Sequence, residues 1–141
     1  MTEARAPVTT DEAAPIRPAR PAAVELAGAI LIVGGAIQLI LAIATLPRVA
    51  PGAEPVAALA LALNVASIAV GLLVRLGRAW LLALNFAAVL GFLDLLGGGG
   101  SPLSLMLGVA EVLVVLILLA QRPWFDAMRA WRAESERLTR A

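Results

Sequence analysis

The chain has 141 residues, 61% of them hydrophobic and 15% charged, with a net charge of +1 and a mean hydropathy of +0.92. A soluble domain carries about half apolar and a quarter charged residues, so this composition excludes an ordinary water-soluble fold and points to lipid as the solvent. Cysteine, histidine and tyrosine are absent, which excludes thiolate and imidazole metal sites, axial haem histidines, disulfide exchange and cysteine nucleophiles.

Residues 1–20 are rich in proline, alanine and mixed charge. They lack the apolar content that offsets chain entropy, and are expected to form a disordered cytoplasmic tail. Arg17 and Arg20 stand where they can meet anionic headgroups. Four apolar runs follow at residues 21–46, 55–74, 79–96 and 103–120. Each is about 18–26 residues long, enough for a helix to cross a hydrocarbon core of about 30 Å. The first run is too long for a signal-peptide core, so it reads as a span that also acts as the insertion signal.

Every basic residue is arginine, and alanine, glycine and proline are abundant, a bias that fits a GC-rich bacterial genome. Four spans place both termini and the 75–78 turn on one side. That side carries Arg5, Arg17, Arg20, Arg75, Arg78, Arg122, Arg129, Arg132, Arg137 and Arg140, and the other carries Arg48. By the positive-inside rule both termini are cytoplasmic, in a bacterial inner membrane. The outer loop at 97–101 is four glycines and a serine. No lysine follows and no strand precedes it, so it fails as a phosphate cradle and reads as a hairpin connector. Pro102 then opens the next helix at its first turn.

Small residues at helical spacing mark where helices meet in lipid. The second run places Ala57, Ala60, Asn64, Ser67 and Gly71 on one stripe. The fourth aligns Ser104, Gly108 and Glu111; the first aligns Ala27, Leu31, Gly34 and Gln38, with Gly28 and Gly35 beside them; the third aligns Ala83, Ala87, Gly91 and Asp94. Gly34, Gly35, Ala60, Ser67, Gly71, Gly91 and Gly108 are therefore the expected packing positions. At 1.5 Å per residue, Gln38, Asn64 and Glu111 lie about 12–13 Å inside their spans and Asn85 about 18 Å. Depth alone makes Gln38, Asn64, Asn85 and Glu111 a polar belt near the midplane. Asp94 lies about 5 Å from the outer surface, on the side of its helix opposite Asn85, as an outer-side acid.

Glu111 is the most costly of these, since an ionised carboxylate at the membrane centre costs about 2.5–3.5 kcal/mol on insertion scales. No arginine is deep enough to pair with it. Two readings stay open: a proton-coupled or cation-binding centre in a midplane cavity, or a neutral member of a buried hydrogen-bond network that fixes helix register. Glu25, in the first turn of the first span, suits the positive end of its helix.

Residues 122–141 have soluble-helix character. Pro123 breaks the axis and starts a new helix. Trp124, Met128, Trp131 and Leu138 share one face, and Arg122–Asp126 and Glu136–Arg140 are spaced as i,i+4 pairs. The pattern predicts an amphipathic helix on the cytoplasmic leaflet, with Trp80, Trp124 and Trp131 as interfacial anchors.

Glu25-Leu26-Ala27-Gly28 is similar to the Glu-x-x-Gly of the small multidrug resistance family over four residues. That family's glutamate lies deep in its first span, whereas Glu25 stands at the rim, and its aromatic residues have no counterpart here. With Arg78-Ala79-Trp80 and Arg122-Pro123-Trp124-Phe125 at span ends, the chain resembles the uncharacterised small four-span membrane proteins of high-GC bacteria. That resemblance implies an architecture and no activity.

The expected fold is all-α: a four-helix transmembrane bundle with short loops and a C-terminal amphipathic interfacial helix. The expected function is a non-enzymatic scaffold or accessory subunit of a membrane assembly, without catalytic residues, metal or cofactor. Its partners are the bilayer and a second copy or a larger membrane protein; mixed charge signs argue against nucleic acid. The alternative is a small proton-coupled transporter or channel component centred on Glu111.

Overall fold

The computed structural model describes residues 15–97 and 101–140. Most of the tail and the tip of the glycine loop therefore lie outside the described residues. Five α-helices account for nearly all of the rest: α1 (Ala22–Thr45), α2 (Glu54–Arg75), α3 (Trp80–Gly97), α4 (Pro102–Ala120) and α5 (Arg122–Arg140), with a single 3₁₀ turn at Leu46–Arg48. Among the described residues there is no strand. Each helix falls within a residue or two of the run that announced it.

The boundaries follow local chemistry. α1 gives way to the 3₁₀ turn at Pro47, which has no N–H to donate back into a helix. Glu54 and Pro55 occupy the first turn of α2, where a carboxylate meets the helix dipole and a missing N–H costs nothing. α2 ends in a Schellman motif: Gly77 adopts φ +67°, its N–H bonds the Val74 carbonyl, and the Arg78 N–H bonds the Leu73 carbonyl. Ala79, immediately before α3, also sits in the left-handed region at φ +54°. Ser101 caps α4, accepting from the Ser104 N–H at 3.1 Å.

α1, α2 and α4 are each long and apolar enough to cross a membrane; α3 is apolar but shorter. α1 packs most extensively on α2, and α3 on α4; α1 then joins the two hairpins through α4, and α2 meets α3 over a smaller area. The contact between α1 and α2 is backbone-close. A Cβ on Gly71 would lie 2.8 Å from the Gly28 carbonyl oxygen, and one on Gly35 would lie 2.9 Å from the Asn64 carbonyl oxygen. Ser67 Oγ donates to the Leu31 carbonyl across this seam at 2.9 Å. Gly35, Ser67 and Gly71 thus serve as packing positions.

Two of the expected packing positions do not. Ala60 is exposed, because the buried stripe of α2 begins at Asn64 and runs through Ser67, Val70, Gly71 and Val74. The glycines that permit close approach lie opposite that half of α2 only. Gly34 is half-buried, and a Cβ there would meet Leu107 at an ordinary 3.5 Å.

The apolar core lies toward the end that carries α5. Val24, Ala27, Leu31, Val74, Ala83, Ala87, Val114 and Leu118 are buried, closed off by Trp124, Phe125 and Met128 of α5. The outward faces are apolar as well: Leu59, Leu81, Phe92, Leu96, Met106 and Leu116 are all exposed.

α5 packs on the end of the bundle. Its apolar side turns onto the bundle: a Cβ on Gly77 would strike the Trp124 ring at 2.9 Å, and Arg132 donates to the Gly77 and Leu76 carbonyls at 2.7 and 3.3 Å. Residues 15–20, composition notwithstanding, lie along the same helix. Trp124 Nε1 donates to the Ala19 carbonyl at 2.8 Å and Trp131 Nε1 to the Pro15 carbonyl at 2.9 Å. Two indole N–H groups that need partners when buried supply the ordering that the segment's own composition does not.

Candidate functional site

The crossing of α3 and α4 determines where the acids go. A Cβ on Gly108 would lie 2.7 Å from Leu95 Cγ, and one on Gly91 would lie 3.3 Å from Glu111 Cβ and 3.5 Å from the Gly108 carbonyl oxygen. Two glycines facing each other let the helices close, and the Glu111 side chain then starts directly over Gly91. It is 7% exposed, and its Oε2 is sealed from solvent without a hydrogen-bond partner. A buried oxygen left unpaired in this way costs about 1–3 kcal/mol.

Asp94 stands one turn beyond Gly91 on the same face of α3 and is half-buried. Gln38 Nε2, from α1, donates to Asp94 Oδ2 at 2.7 Å. Asp94 and Glu111 thus flank the same α3–α4 crossing, Glu111 over Gly91 and Asp94 one turn farther along α3. Three helices therefore converge on two carboxylates and one amide.

Asn64 is buried at the α1–α2 seam, 7% exposed. Its side chain makes no hydrogen bond among the described residues. Asn85 does not join the cluster. It is exposed, and its Nδ2 donates to the Leu81 carbonyl of its own helix at 2.7 Å. Nine residues are two and a half helical turns, so when Gly91 and Asp94 face α4, Asn85 faces away. The belt of four expected from depth is replaced by a cluster of Gln38, Asp94 and Glu111, with Asn64 on the neighbouring seam. The signal for Asp94 was present in the sequence, since Ala83, Ala87, Gly91 and Asp94 form one stripe; distance from the surface obscured it.

At the α5 end, Glu25 accepts from Arg20 at 2.6 Å and from Arg75, tying α1 to the end of α2. Trp80 Nε1 donates to the Leu118 carbonyl at 2.7 Å. All three tryptophans thus direct their N–H to protein carbonyls, and Trp124 is buried against the bundle.

Acyl transfer would need a nucleophile with a base in hydrogen-bond reach. Neither acid of the cluster contacts a hydroxyl among the described residues. What the arrangement can do is hold or exchange a proton between two apposed carboxylates, or fix the register of three helices. Among the described residues no group of three or more carboxylates is placed to hold a metal ion. No protein-family model, no curated protein and no solved structure matches the chain.

Proposed function

We propose that the chain is a non-enzymatic multi-pass protein of the bacterial inner membrane, crossing it four times with both termini cytoplasmic, and serving as a scaffold or accessory subunit of a membrane assembly. The carrying observation is the pairing of an apolar exterior with glycine-tight interior seams: exposed Leu59, Phe92 and Leu116 outside, and Gly28, Gly35, Gly71, Gly91 and Gly108 inside. That is the arrangement expected where lipid, not water, bathes the outward side chains and close packing with a few interhelical hydrogen bonds holds helices together. α3 crosses as the short member, its 18 residues reaching about 27 Å.

A shallow groove of about 310 Å³ between α1 and α4, floored by Gly34 and walled by Ile30, Val33, Ile37 and Leu107, supports the assembly role. A small residue at the bottom of an apolar channel lets a neighbouring helix approach closely. The partner is a second copy or a larger membrane protein. In-membrane cross-linking from a cysteine at Val33 tests this: loss of the cross-linked product in Gly34→Leu supports the reading, and its persistence counts against it. Single cysteines at Ser101 and Ala127 test orientation, with Ser101→Cys labelled from outside the cell and Ala127→Cys only after permeabilisation.

The second reading, a small proton-coupled transporter or channel component, is favoured by the unpaired Glu111 Oε2 beside Asp94. Intramembrane carboxylates with no cation are functional candidates by default. A pH-driven flux in liposomes that Glu111→Gln abolishes without altering folding or assembly would displace the scaffold reading.

A further inference from the structure

A cleft of about 400 Å³ opens between the start of α3 and the face of α5 that carries Arg122, Phe125, Arg129 and Arg132. Trp80 and Phe125 form its aromatic wall, and Arg122, Arg129 and Arg132 line it; no carboxylate does. A second, smaller cleft of about 260 Å³ shares Arg132 and adds Arg17 and Arg78. Five guanidinium groups therefore surround one corner of the molecule.

Two acids bear on these arginines, Glu136 on Arg132 and Asp126 on Arg122 and Arg129. Asp126 pairs with Arg129 and, at a loose 3.8 Å, with Arg122, but it sits half-exposed on α5 where water screens it. Arg122 also lies over the Trp80 ring at 5.4 Å. Arg132 gives one N–H from each of Nη1 and Nη2 to the Leu76 and Gly77 carbonyls, keeps three donors free of them, and makes no ion pair with a carboxylate among the described residues. Partial burial and the repulsion of Arg78, Arg129 and Arg17 push its pKa down. A corner in which cations repel each other around an open cleft is stabilised by an anion placed among them. The cleft also takes in Leu81 and Leu82, whose backbone N–H groups, in the first turn of α3, have no acceptor within the helix.

We propose that this cleft is a phosphate-binding site, in which Arg122, Arg129 and Arg132 hold the phosphate of an anionic lipid headgroup or of a soluble phosphate ester. Guanidinium groups suit this chemistry because their planar donors match two phosphate oxygens at once. The lipid source rests on the membrane reading above and is the one the surroundings favour. Leu81 and Leu82 are exposed beside the cleft, where the acyl chains of a bound lipid would run.

The test uses the full chain, purified in zwitterionic micelles and also reconstituted in phosphatidylcholine nanodiscs. Phosphatidylglycerol and inorganic phosphate are titrated separately while thermal unfolding and bound lipid are measured. Phosphatidylglycerol is expected to stabilise the chain over phosphatidylcholine, and Arg122→Gln with Arg129→Gln to weaken that binding by about tenfold or more, as the loss of charge-assisted bonds implies. Arg137→Gln with Arg140→Gln, also on α5 but away from the cleft, is expected to leave it unchanged. Stabilisation by phosphatidylglycerol alone assigns the lipid, and stabilisation by inorganic phosphate assigns the soluble ester. If neither probe binds, or if the distal pair of substitutions costs as much as the cleft pair, the site is refuted. Failure of the chain to enter nanodiscs would strike the membrane reading, and the phosphate titration in micelles would still decide the site.

Discussion

Gln38 on α1 donates its amide to Asp94 on α3 over 2.7 Å, although the helices are not sequence neighbours and 56 residues separate the pair. This bond joins the α1–α2 hairpin to the α3–α4 hairpin in the half of the molecule away from α5, where Leu and Ile side chains face outward. Gln38→Leu is expected to lower unfolding free energy by about 0.6–2 kcal/mol, the range measured for polar pairs in membrane bundles. Pairing it with Asp94→Leu should recover part of the loss. A double-mutant cycle in micelles checks this, and strictly additive effects would contradict the pairing.

Glu111 presents the opposite case, a buried oxygen with nothing to bond. Removing it removes a penalty, so Glu111→Leu is expected to hold or raise stability, by up to about 3 kcal/mol. Reversible unfolding in micelles measures it. A clear loss of stability would mean that the carboxyl group is bonded in the membrane-embedded protein.

Gly71 and Gly34 differ in what a methyl group would meet. Gly71→Ala drives a carbon to 2.8 Å from the Gly28 carbonyl, which is backbone and cannot swing aside. It is expected to cost about 1–3 kcal/mol. Gly34→Ala has 3.5 Å of clearance to a leucine methyl and should fall within about 0.5 kcal/mol of the parent. Thermal unfolding of both variants decides it; equal effects would refute the seam.

Gly77 combines a left-handed backbone with a crowded surface, since its φ is +67° and Trp124 lies over it. Gly77→Ala is expected to cost about 1–3 kcal/mol in strain and to shift tryptophan emission to the red as Trp124 is displaced. Unchanged emission would place Trp124 elsewhere.

The extents of α1 to α4 were readable from hydropathy, because apolar length and helix length coincide where a helix satisfies all its backbone groups internally. The seams were readable where glycine and serine recur at helical spacing, as at Gly35, Ser67 and Gly71. Asn85 misled because depth says nothing about azimuth. Ala60 misled because small size permits an approach that only an opposing glycine completes. The packing of Trp124 was not legible for another reason. An amphipathic stripe records that one side avoids water, and both a headgroup layer and the end of a protein core satisfy it equally. The turn at Gly77, closed by Arg132, brings Trp124 against the bundle.

The hold that Trp124 and Trp131 exert on the carbonyls of Ala19 and Pro15 joins the stretch made before the first apolar helix to one made after the fourth. During synthesis that clasp has no counterpart until α5 leaves the ribosome. A chain cut short before α5 lacks both indole donors, so residues 15–19 lose the two hydrogen bonds that hold them to the bundle.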